Sequence, residues 1–156
     1  MAVNTANQNV KSLFSAETIN KALVKGGVAG LVGGSVFGVQ MTVGGMLPMV
    51  ADMIGSTSII VGFALHMLIS FTIGVTYAFA AEATPNFLPT WPKAISLGIV
   101  WGIVWWVLGA LIMMPLILGM NEMVLEVGEM QEMSLVGHVM FGIIAASFYA
   151  IIRDTE

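Results

Sequence analysis

Two histidines and two tyrosines stand at one repeated spacing. His66 is followed eleven residues later by Tyr77, and His138 eleven residues later by Tyr149. The chain has no other histidine or tyrosine. Both histidines lie in apolar runs, "ALHMLISFTIGVTYAFA" and "GHVMFGIIAASFYAII". An ionisable group in such a run is costly and points first to function. A neutral imidazole offers one N–H and one lone pair. It therefore suits a metal or a haem iron, and it equally suits a bond to a backbone carbonyl that ties two helices together.

The methionines bear on which ligand would fit. There are thirteen, and all but Met1 map to one half of the expected helices or to the connections on that side. Thioether with imidazole suits copper, above all Cu(I). Met41, Met67, Met113 and Met140 are the methionines expected to join His66 and His138 in a ligand set. Methionine is also a flexible filler of irregular packing, which accounts for the number but not for the sidedness. Haem b held between His66 and His138 is the other candidate. Against it, propionates favour cations, and every lysine and arginine falls on the opposite side.

These side chains need elements to hold them, and composition sets what those are. The hydrophobic fraction is 58% and the charged fraction 9%. A soluble domain carries about 25% charged residues, so this surface must be covered by lipid. There is no cysteine, hence no disulfide framework and no thiolate site. The net charge of −4, with no basic block, excludes nucleic acid as a natural partner.

A spanning helix needs roughly 20 apolar residues. Four stretches qualify: 22–50, 58–81, 94–120 and 134–152. The expected fold is an all-α integral membrane protein of four helices. The stretch 11–20 reads as an amphipathic lead-in, with Leu13, Phe14 and Ile19 toward lipid. Lys11, Lys21, Lys25, Lys93 and Arg153 all fall on one side of this topology. The positive-inside rule then places both termini and the 82–93 loop in the cytoplasm, as in a bacterial inner membrane. Three prolines in "EATPNFLPTWPK" oppose regular helix there, and Trp91 reads as an interfacial anchor. The opposite connection, "NEMVLEVGEMQEM", carries Glu122, Glu126, Glu129 and Glu132 and is expected to form an amphipathic surface helix. In "VGGMLPMVADMIGS" the glycines and Pro48 predict either a re-entrant turn or a kinked helix end.

The halves match at a shift of 72. Lys21-Ala22 falls on Lys93-Ala94, Gly26 on Gly98, Gly30 on Gly102, Met41 on Met113, His66 on His138 and Tyr77-Ala78 on Tyr149-Ala150. Pro48 and Pro115 match only after a five-residue slip. Two hairpins of the same direction predict a parallel repeat about an axis along the membrane normal. The organisation expected is a segment 1–20, a first hairpin 21–81, a loop 82–92 and a second hairpin 93–156.

Small residues set the packing faces. Gly26, Gly30, Gly34 and Gly38 recur at every fourth position. His66 heads the stripe Ser70, Gly74, Ala78, and His138 heads Gly142, Ala146, Ala150. Glycine permits the close approach that helix association in lipid relies on. Trp101, Trp105, Trp106 and Phe141 are the bulky residues expected to meet lipid or a partner subunit. No nucleophile–base pair or phosphate loop occurs, so catalysis has no support. The function expected is a non-catalytic accessory or assembly subunit holding a metal or cofactor near the outer leaflet. Copper or haem binding through His66 and His138 is the alternative. Partners would be lipid with other membrane subunits or further copies of the chain. A small transporter or channel is a weaker alternative, since the expected spans hold no carboxylate or arginine for coupling.

Overall fold

Four long helices and one short one account for most of residues 15–84 and 90–155, the part of the chain that this computed structural model describes. In chain order they are α1 (Ala16–Val43), α2 (Leu47–Asp52), α3 (Ile59–Ala83), α4 (Pro92–Ile117) and α5 (Glu129–Ile152). The four long helices are each long and apolar enough to cross a membrane. Their outward residues, among them Val39, Val43, Ile60, Leu68, Val100 and Val136, are exposed, as a lipid-facing surface requires. The expected lead-in residues Lys11, Leu13 and Phe14, the proline-rich stretch 85–89 and the Trp91 side chain lie outside the described residues.

The ends of the helices differ from expectation in physical ways. Ser15 caps α1 by accepting the Thr18 amide at 3.2 Å, and the helix then runs unbroken through a π turn at Ala22–Gly26. Ala16–Lys21 is therefore the first turn of the span, not a separate surface helix. The stretch 22–50 is divided. α1 stops at Gly44, Gly45 adopts φ +67°, and Pro48 lies in the first turn of α2. Only glycine takes that conformation without strain. α2 folds back against α3 and buries Leu47, Val50 and Ala51. Its Leu47 carbonyl lies where Gly62 leaves no room for a Cβ.

The acidic connection is not an amphipathic helix. It forms a 3-10 turn at Asn121–Met123, and α5 starts already at Glu129. Glu129 and Glu132 sit in the first turn of α5, where the helix dipole favours anions. The cause lies in Pro115. Proline has no N–H for the carbonyl four residues back and crowds it. That carbonyl belongs to Leu111, inside a π segment, Trp106–Met113. It accepts instead from the Leu125 amide at 2.9 Å, with Leu125 at φ 64°. One proline thus widens α4 and pins the following connection onto it.

Packing is tightest at glycines. A Cβ on Gly30 would strike the Ser70 carbonyl and come within 2.9 Å of the Gly74 Cα. On the other hairpin, a Cβ on Gly98 or Gly102 would strike the carbonyl of Gly142 or His138. α1 also turns a second face to α5, through Gly33 beside the Phe141 carbonyl and Phe37 over Gly137. α1 therefore stands between α3 and α5, and α4 packs on α5. No matching interface joins α4 to α3, so helix pairing among the described residues is not two-fold. The crossing registers differ as well. The 72-residue match would set Gly102 on Gly142, the counterpart of Ser70, but Gly102 meets His138, one helical turn away.

Candidate soft-metal site

At the end of the bundle away from Lys21 and Arg153, α1, α2, α3, α4 and α5 line a half-open cavity of about 400 Å³. Seven methionines line it: Met41 from α1, Met46, Met49 and Met53 from α2 and its flanks, Met113 and Met114 from α4, and Met130 from α5. His66, His138, Phe37, Trp105, Gln131 and Ser134 complete the wall with aliphatic side chains. The π segment of α4 contributes Gly109, Ala110 and Met113 to this wall. Wide turns of this kind recur at functional sites because they re-aim side chains and carbonyls.

Both imidazoles are held by one nitrogen. His66 donates from Nε2 to the Gly34 carbonyl at 2.9 Å, and the Ser70 hydroxyl lies 3.5 Å from the same nitrogen. A carbonyl only accepts, so the proton is on Nε2 and the lone pair on Nδ1. His138 donates from Nδ1 to the Ser134 carbonyl at 2.8 Å, which leaves its lone pair on Nε2. A ring whose far N–H is fixed by a carbonyl is oriented as metal-ligating histidines are. The two are not equivalent, however. The His66 bond crosses from α3 to α1 and ties the helices together, while the His138 bond stays within α5. Phe37 meets both rings edge-on, with centroids at 5.2 Å from His66 and 4.8 Å from His138.

The structure brings together His66, His138, Met41 and Met113 and leaves out Met67 and Met140. Met67 follows His66 and points about 100° from it, and Met140, two residues past His138, points about 200° from it. Met67 is half-buried with its sulfur toward α1 near Gly34, and Met140 is exposed on the outer face of α5. In their place come Met46, Met49, Met53, Met114 and Met130. Spacing carried part of this signal. Met46, Met49 and Met53 recur at three and four, and Met130, Ser134 and His138 at four, each set on one helical face. Among the described residues no three His, Asp or Glu side chains gather, so a hard cation has no ligand set here.

The bulky residues also correct expectation. Phe141 is buried in the core beside Phe37 and Met41, and Trp101 packs against both core clusters. Trp106 donates to the Gln131 carbonyl at 2.9 Å and fastens α4 to the start of α5. Phe141 is thus buried, while Trp101, Trp105 and Trp106 are half-buried.

The opposite end holds a carboxylate that the expected spans did not include. Glu82, in the last turn of α3, lies 3.5 Å from Lys21 and 3.6 Å from Arg153 and accepts from the Tyr149 hydroxyl at 2.8 Å. Its side chain is only 17% exposed. Asp154 bridges Lys21 at 3.6 Å and Arg153 at 3.2 Å, and Lys25 donates to the carbonyls of Arg153 and Thr155. Comparison with protein-family models, with curated proteins and with solved structures finds no match to this chain.

Proposed function

We propose that this is a small non-catalytic membrane protein that holds a soft monovalent cation, Cu(I), in the methionine and histidine cavity. The observation that carries this is the wall itself: seven methionines and two histidines line one space. Soft thioether ligands favour Cu(I), while among the described residues no three His, Asp or Glu gather, which disfavours Ca²⁺, Mg²⁺ and Zn²⁺. Each histidine keeps one lone pair for the metal while a carbonyl fixes the other nitrogen. Haem fits less well. A flat macrocycle needs an open slot between the imidazoles, and Phe37 packs edge-on against both. The cations that would pair with propionates lie at the other end.

In the orientation that the lysines and Arg153 favour, the termini are cytoplasmic and the cavity opens toward the outer leaflet. Glu122 and Glu126 on the neighbouring connection would raise the local concentration of cations. The way inward is filled by Trp101, Tyr77 and Tyr149, so holding and hand-over fit better than a pore. An accessory or assembly role beside a larger membrane complex follows from that reading. The 72-residue likeness of the hairpins supports a duplicated origin whose halves have since diverged in register.

The test is anaerobic competition of Cu(I) between a colorimetric chelator and the protein in nanodiscs. The lack of cysteine removes thiolate binding as a confounder. X-ray absorption should report sulfur with one or two nitrogens at the metal. A metal bound through oxygen alone, or no retention against the chelator, would refute the proposal.

A further inference from the structure

A second feature leads away from the cavity. Trp105 lines it, and Trp105 meets Trp101 with ring centroids 6.2 Å apart. Trp101 meets Tyr77 at 5.8 Å, and Tyr77 meets Tyr149 at 5.9 Å. All three contacts are edge-to-face. Tryptophan and tyrosine are, with cysteine, the side chains most easily oxidised by one electron, and four of them stand here in an unbroken column. The column runs from the methionine cavity to Glu82, and both tyrosines of the chain belong to it.

The polar atoms of the column are unequal. Trp105 Nε1, Trp101 Nε1 and the Tyr77 hydroxyl are buried with no hydrogen-bond partner. Buried polar groups are rarely left so, and packing alone gives no reason for three in a row. Tyr149 alone has an acceptor, Glu82 Oε1 at 2.8 Å. An indole or phenol that loses an electron becomes strongly acidic. Where no acceptor exists the charge stays on the ring, which is costly in an apolar surrounding. At Tyr149 the proton has a place to go.

We propose that Trp105, Trp101, Tyr77 and Tyr149 form a relay that carries an oxidising equivalent out of the cavity and ends on Tyr149. The oxidant is a one-electron radical of the peroxyl class, such as forms when a lipid carbon radical takes up oxygen. It takes one electron from Trp105 and becomes the peroxyl anion. Trp105 is refilled from Trp101, and Trp101 from Tyr149 across the Tyr77 ring, which bridges the two without holding the charge. At Tyr149 the O–H bond breaks and the proton passes to Glu82. The products are a neutral phenoxyl radical on Tyr149, a neutral carboxylic acid on Glu82 and the reduced oxidant. The relay rests on ring geometry and proton acceptors, and it does not depend on which cargo the cavity takes. Its consequence is protection of the thioethers, which would otherwise be oxidised to sulfoxide.

Laser photo-ionisation of the tryptophans in nanodisc-held protein tests it. Indolyl absorption should decay as tyrosyl absorption grows, and growth should slow in D₂O because a proton moves with the electron. Tyr149→Phe should abolish the tyrosyl signal although Tyr77 remains. Glu82→Gln, which keeps the shape but cannot take the proton, should cut the tyrosyl yield severalfold. The D₂O measurement uses the unaltered protein, so a variant that folds poorly does not blunt the test. A tyrosyl yield unchanged in Tyr149→Phe would place the radical on Tyr77 and overturn the relay. Indolyl decay with no tyrosyl growth in the wild type would do the same.

Discussion

The two ends of this bundle treat polar chemistry in opposite ways. At one end Glu82 is met by Lys21, Arg153 and the Tyr149 hydroxyl, and Asp154 pairs with Lys21 and Arg153. At the other, seven methionines and two histidines line a space of about 400 Å³. The first arrangement closes the structure. The second sets weak ligands around a common volume, which is the condition for binding something soft. The difference also separates two kinds of substitution: those that cost stability and those that cost binding.

The largest effect is expected where both ends depend on one contact. Gly30→Leu puts a side chain into the Ser70 carbonyl and the Gly74 backbone, between α1 and α3. Overpacking costs typically about 1–3 kcal/mol, and a collision with backbone lies at the upper end. Loss of a monodisperse, helical species in detergent is the expected readout. Gly109→Ala, whose Cβ would meet nothing within 4 Å, should leave the melting temperature nearly unchanged. A tolerated Gly30→Leu would mean that α1 does not pack on α3 through this face.

At the closed end, Glu82→Ala leaves Lys21, Arg153 and the Tyr149 hydroxyl without their shared acceptor. Removing one partner of a half-buried hydrogen-bonded network costs about 1–3 kcal/mol. The melting temperature should fall and Cu(I) retention should not. At the open end the pattern reverses. Met46→Leu and Met53→Leu conserve volume, so stability should change by less than about 1.5 kcal/mol while Cu(I) retention weakens. Met67→Leu and Met140→Leu, outside the cavity, should change neither. If Met140→Leu weakens binding as much as Met46→Leu does, the site is not this cavity. The smallest disturbance is a labelling probe. A cysteine at Glu129 should react with an impermeant thiol reagent from outside the cell and one at Thr90 should not. The reverse pattern would invert the orientation inferred from the basic residues.

Much of this was legible in the residues. Hydropathy marked the four spans, since apolar length is what a bilayer demands. Spacing of four placed Gly26, Gly30, Gly34, Ser70 and Gly74 at one contact, because helical neighbours share a face. His66, His138, Met41 and Met113 line one cavity. What sequence left out is tertiary. Nothing local says that α2 folds back to deliver Met46, Met49 and Met53, although Gly45 and Pro48 mark the break. Proximity in sequence misled at Met67 and Met140, one and two residues past a histidine along the chain but turned away from it around the helix. The 72-residue match set His66 and His138 as equals. Packing register makes one a tie between helices and leaves the other within its own. Glu82 was missed because α3 continues past Ala81 into the charged end.

The most direct measurement is Cu(I) competition on wild type, His66→Leu, His138→Leu and the triple variant Met46→Leu, Met49→Leu, Met53→Leu. The account predicts one tight Cu(I) site in the wild type, weakened by either histidine change and nearly lost in the triple variant. Because the His66 bond to Gly34 joins two helices, His66→Leu should also lower the melting temperature more than His138→Leu does. Equal Cu(I) retention by all four proteins would contradict the claim that this cavity binds a soft metal.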